Sequence, residues 1–217
     1  MSDGTDDRIG RPVPAGRIAL IRHGETEWSV SGRHTSVTDV DLTAVGERQA
    51  RGIPAILAGL GLGPRSVLVS PRRRARRTAE LAGLGAAPAV INDLVEWDYG
   101  RYEGLTTAQI RGERPAWDLF TDGCPGGESP EQVARRADRV LDMARSLAGR
   151  GDVALVAHGH ISRALTVRWV NLPVSAGALI AMDAAAVTVL GSYHGDPIIE
   201  HANVIARVEV SGVEPVR

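Results

Sequence analysis

The chain has 217 residues, 43% hydrophobic and 24% charged, with a formal net charge of −1, the balance of one folded domain, two at most, and not of a dedicated nucleic-acid binder. No apolar run spans a bilayer, residues 1–7 are too acidic for a secretory signal, and the lone Cys124 excludes an internal disulfide, so a cytoplasmic chain without a membrane partner is expected. All 25 basic residues are arginine, which removes lysine chemistry such as a P-loop amine or a Schiff base and leaves guanidinium, suited to bidentate grip on oxyanions.

In chain order, residues 1–16 hold Gly, Pro, Asp and Arg without periodicity and are expected to be a disordered tail. Residues 17–217 are expected to form a single domain. Short apolar runs predict strands over 18–21, 66–70 and 153–157, with later strands over 186–190 and 204–210, the last alternating like an edge. Helices are predicted from Thr43 to about Leu60, over 74–82 and over 161–170. The clearest helix starts at Ser129: an N-cap serine, Pro130 in the first position and Gln132 completing a capping box. Val133, Ala137, Val140, Leu141, Ala144, Leu147 and Ala148 then recur at helical spacing, and Gly149 stops it. Residues 104–127 are polar and turn-rich, an excursion off the sheet carrying Trp117 and Phe120. Strands separated by helices imply an α/β fold with a mostly parallel sheet.

In such a sheet ligands bind beyond the carboxyl ends of the strands. After the first strand come Arg22-His23-Gly24-Glu25-Thr26, after the second Pro71-Arg72-Arg73-Arg74-Ala75, after the third His158-Gly159-His160. Histidines, arginines and helix starts thus converge on one edge, which is the make-up of a phosphate pocket without metal ligands.

These residues resemble the histidine phosphatase superfamily, the phosphoglycerate mutase-like fold. Arg22-His23-Gly24 is similar to its first block, the run from Ser70 to Ala79 to its second, Glu96 with Gly100, Glu103 and Gly104 to its third, and His158-Gly159 to its fourth. The resemblance implies a three-layer α/β/α sandwich and a phosphomonoesterase needing no cofactor and no metal. It implies His23 as nucleophile forming a phosphohistidine, Arg22, Arg74 and His158 as ligands of the phosphoryl oxygens, and Glu96 as acid/base. Arg74 is selected within its run because it precedes Ala75. Further blocks, among them 25–29, 32–35 and 96–106, resemble the mycobacterial-type acid phosphatase and fungal sedoheptulose-1,7-bisphosphatase groups. They imply a small phosphorylated metabolite as partner, a sugar phosphate or bisphosphate first, with Ser29, His34, Thr35, Tyr99, Arg163 and Gly159 facing it. Homo-oligomerisation is left open.

Other readings are weaker. Mutase-type phosphoryl transfer lacks a paired-arginine site, since 104–127 holds only isolated Arg111 and Arg114. A catalytically silent phospho-ligand module conflicts with the full set of candidate groups. Asp39-Val40-Asp41-Leu42-Thr43 mimics an aspartyl-phosphate motif without a preceding apolar strand, so Thr43 is expected to start a helix and the aspartates to sit in a turn. Cys124 lacks the arginine of a cysteine phosphatase loop. The other arginines of 72–77 are expected on a solvated face, His194 and His201 are expected to be structural, His160 receives no role, and Trp28, Trp97 and Tyr99 are expected as core residues that also wall the pocket.

Overall fold

The structure is a computed structural model that describes residues 14–85 and 87–206. In chain order the strands and helices are β1 (Ile18–Arg22), α1 (Glu27–Val30), α2 (Ala44–Gly59), β2 (Ser66–Val69), α3 (Arg73–Leu81), β3 (Ala89–Val90), α4 (Thr107–Glu113), α5 (Leu119–Asp122), α6 (Pro130–Ala148), β4 (Val153–Ala157), α7 (Gly159–Trp169), β5 (Val187–Tyr193) and β6 (Asp196–Val204). They form one six-stranded sheet in the order β3-β2-β4-β1-β5-β6. The β3–β2, β2–β4 and β4–β1 pairings are parallel, and β5 and β6 continue antiparallel.

The layering follows from strand periodicity. Successive side chains of a strand point to opposite faces. Ile18 and Leu20 of β1, with Val153, Leu155 and Ala157 of β4, join a core under α6 and α7. Ala19 and Ile21, with Ala154 and Val156, join a second core under α2 and α3. Both faces of the central strands are covered, which is why they read as unbroken apolar runs. α6 is set as its sequence dictates: Gln132 N–H donates to Ser129 Oγ at 3.3 Å and Ser129 N–H to Gln132 Oε1 at 2.7 Å. Its apolar stripe, including fully buried Leu141, packs on the sheet. Leu141→Ala would cost about 2–5 kcal/mol through lost burial and a cavity.

The excursion holds no strand, as expected, but it is not peripheral. α4, α5 and the turn between them bring Ile110, Phe120 and Trp117 into the α6–α7 core. The last described strand is Asp196–Val204, earlier than the expected 204–210, which it meets only at Val204. Residues 207–210 lie outside the described residues. The stretch 196–203 was not foreseen as strand because β6 is a half-solvated edge whose Asp196, Glu200, His201 and Asn203 dilute the apolar signal. The missed clue is the turn: His194 and Gly195 have φ of 53° and 91°, the left-handed pair that a two-residue hairpin needs. Of the expected tail, residues 1–13 lie outside the described residues, while Gly16 is tied down, its N–H donating to Ala148 O at 3.0 Å.

Candidate active site

Parallel pairing aligns the strand ends. Ile21 and Val69 both stand opposite Val156, so β1, β2 and β4 finish at one edge. There His23 N–H donates to Ala157 O at 3.0 Å and Ser70 N–H to Val156 O at 3.0 Å. The loop after β1 then runs against the start of α2, backbone to backbone. A Cβ on Gly24 would strike the Gly46 carbonyl, and one on Gly46 would strike Glu25. This close approach is the physical reason for glycine after His23. Thr78 of α3 completes the seat, accepting from Gly24 N–H at 3.1 Å.

His23 is buried, and its Nδ1–H donates to Gly24 O at 2.7 Å. That bond fixes the tautomer and leaves the Nε2 lone pair free. Burial, then the positive charges of Arg74 and Arg22, hold its pKa well below the usual imidazole range, so the ring is neutral at pH 7. His158 stands edge-on with ring centroids 5.1 Å apart. Arg74 Nε–H donates to its Nδ1 at 3.2 Å, so His158 Nε2–H donates to Ser70 Oγ at 2.7 Å. Burial and Arg74 push its pKa well down too. Arg74 is fully buried and also donates to Thr38 O, Thr35 O and Ser36 O at 3.0, 3.0 and 3.3 Å. Arg22 donates through Nη1 to Met182 O at 2.6 Å, and its buried Nε has no hydrogen-bond partner among the described residues. Such an orphan donor in a cavity wall favours an oxyanion there.

Glu96 is anchored from the other side. Its Oε1 accepts from Trp97 and Ile161 N–H at 2.9 Å each, and its Oε2 from His160 N–H at 3.0 Å. The carboxylate therefore sits on the N-terminus of α7, where free N–H groups favour an acceptor.

These groups open on a cavity of about 340 Å³. Arg22, His23 and Glu96 line it, and so do Ser29, His34, Thr35, Tyr99, Gly159 and Arg163. Arg74 and His158 stand behind His23 rather than in the wall. Ser29 contributes less than its position suggests, because its hydroxyl donates to Thr26 O and accepts from Thr26 N–H. Sequence reasoning missed His160, whose ring forms part of the wall and whose Nδ1 lies 2.6 Å from Tyr99 Oη. Its place two residues after His158, on the first turn of α7, was the available signal.

Several expectations change. Trp97 is a core residue, fully buried with its indole N–H on Glu128 O, and neither it nor Trp28 lines the cavity. Arg72 is not on a solvated face, since it is half-buried and its Nε is enclosed without a partner among the described residues. Asp39 and Asp41 lie outside the cavity wall, paired with Arg73, and Thr43 caps α2 through Gly46 N–H. Cys124 is buried, its thiol pushed up to about 12 by burial and then by Asp98, which makes it a poor nucleophile. His194 lies in the β5–β6 turn and His201 on β6, away from the cavity. Among the described residues no helix is long and apolar enough to cross a membrane.

Comparison with known proteins identifies the family. The chain is 49% identical over 179 residues to an acid phosphatase of Mycobacterium tuberculosis, covering 82% of this chain and 88% of the relative. It is 36% identical over 187 residues to sedoheptulose 1,7-bisphosphatase of Saccharomyces cerevisiae, covering 73% and 69%. A solved Mycobacterium tuberculosis structure superposes with a TM-score of 0.85 at 46% identity, covering 88% of this chain and 99% of that one. Residues 18–205 match the model of the histidine phosphatase superfamily, branch 1, and the chain belongs to that superfamily.

Proposed function

We propose that the protein is a metal-independent phosphomonoesterase, acting on small phosphorylated metabolites, sugar phosphates or bisphosphates first, through a phosphohistidine on His23. The observation that carries this reading is a buried, neutral imidazole with Nε2 free, beside an unpartnered Arg22 N–H. The names of the acid phosphatase and bisphosphatase relatives support the substrate class.

In the first step His23 Nε2 attacks phosphorus in line. The ester P–O bond breaks, and Glu96, acting as the general acid, gives a proton to the leaving alkoxide. In the second step Glu96 takes a proton from water, whose oxygen attacks phosphorus and breaks the P–N bond, releasing phosphate and restoring His23. Arg22 meets the equatorial oxygens directly. From behind, Arg74 supplies charge and donors and the neutral His158 supplies its Nε2–H, exchanging their bonds to the 35–38 carbonyls and Ser70 for phosphoryl oxygens. This positive set does the work a divalent ion would otherwise do.

The test is product identity. The reading expects inorganic phosphate from an aryl phosphate and from a sugar phosphate. An isomeric phosphate ester as the main product would assign mutase-type transfer instead, and binding without turnover would assign a silent module.

A further inference from the structure

A second hollow of about 240 Å³ adjoins the catalytic cavity, and His34, Thr107, His160 and Arg163 line both. Its far wall adds Arg111 of α4, with Trp117, Asp118 and Phe120 of the excursion. We propose, resting on the phosphatase reading above, that this hollow is a second anion subsite that receives a distal phosphoryl group, so that the preferred substrate is a bisphosphate.

The argument is the one-sided chemistry of the wall. Arg163 is half-buried, with Nε–H on Gly177 O at 2.8 Å, Nη2–H on Ala178 O at 3.0 Å, and its guanidinium 4.6 Å above the Phe120 ring. Among the described residues it has no carboxylate at ion-pair distance. A partly desolvated cation held only by carbonyls and a π face is left short of an anion. Arg111 is exposed, but it is held over the hollow by its Nε–H, which donates to Trp117 O at 2.9 Å, and it makes no ion pair among the described residues. The His160 ring stands in the same wall, its Nδ1 hydrogen-bonded with Tyr99 Oη at 2.6 Å. Burial keeps both partners neutral, Tyr99 pushed up and His160 pushed down. The one acidic group in the wall, Asp118, already uses Oδ1 to cap α5 at Phe120 N–H. A sugar hydroxyl needs acceptors as well as donors. Two guanidiniums against a single carboxylate suit an oxyanion better, and the planar fork suits phosphate.

The experiment measures kcat/KM for a ketose bisphosphate and for the ketose monophosphate carrying the same reacting ester, in wild type and Arg111→Gln. Wild type should prefer the bisphosphate, and Arg111→Gln should shrink that preference about 10- to 100-fold, mainly through KM, the range of lost charge-assisted hydrogen bonds. If Arg111→Gln does not fold, the salt dependence of wild type carries the test, with KM for the bisphosphate rising more steeply than KM for the monophosphate. Turnover of both substrates with no preference and equal salt slopes would overturn the subsite alone. An unchanged preference in a folded Arg111→Gln would do the same. No phosphate release from either substrate would instead overturn the phosphatase reading.

Discussion

Replacing Glu96 by glutamine separates proton donation from architecture. The carboxylate accepts three backbone N–H bonds, from Trp97, Ile161 and His160. Glutamine keeps one carbonyl oxygen, which can hold Trp97 and Ile161, and sets an NH₂ against the His160 N–H. One buried donor is stranded, at about 1–3 kcal/mol. For a chain of this size that is roughly 2–12 °C in Tm, so the variant should remain folded at assay temperature. Its chemistry should suffer far more, and unevenly. General acid assistance is worth about 10²–10⁴ in rate, nearly all of it needed by an alkyl ester and little by an aryl phosphate, whose phenolate leaves unaided. The assay is the pre-steady-state burst with a sugar phosphate and with an aryl phosphate, in wild type and Glu96→Gln. The sugar-to-aryl burst ratio should fall at least about tenfold. An unchanged ratio refutes the assignment. It would also leave no easy substitute, because Glu103 is spent holding Ser36 and Thr38 N–H and Glu25 accepts from the Thr43 hydroxyl.

Charge and burial set two further expectations. Exhaustive dialysis against a chelator should leave the rate intact, because Arg22 and Arg74 supply the positive charge a metal would bring; loss of activity restored by magnesium would contradict this. Four imidazoles, His23, His34, His158 and His160, have pKa values lowered by burial below 6.5. Below pH 6.5 the unfolded chain protonates them before the folded one does. Each therefore removes up to about 1.4 kcal/mol of stability per pH unit as pH falls from 6.5 toward its folded value, and contributes no such loss above 6.5. Denaturant melts across this window should show His160→Asn with a flatter loss than wild type, and identical slopes would argue against the buried neutral ring.

The central strands and the clustering of the candidate site residues were legible in the sequence for one reason. A strand buried on both faces reads as a plain apolar run, and the residues just past its end must stand at the sheet edge, so Arg22-His23 and His158 could be placed together before any geometry. α6 was legible through its cap. The hidden features depend on partners distant in sequence. The edge strand β6 has half its residues in water and carries no clean pattern. The tight Gly24–Gly46 approach joins two loops that no local pattern connects. His160 gains its place from Tyr99, 61 positions away. That Arg74 stands behind His23, its N–H groups on the 35–38 carbonyls, could not be read from an arginine run that looks uniform. The wall built by α4 and α5 was visible only as a break in the strand–helix rhythm.

The central claim is a covalent bond between phosphorus and His23 Nε2. The direct test is rapid acid-free quench of the enzyme with labelled substrate, followed by peptide mapping. The account predicts label on His23, stable in base and lost in acid as a phosphoramidate is, and no label and no turnover in a folded His23→Ala variant. Label on Asp39 or Asp41, or an acid-stable ester elsewhere in the chain, would contradict it.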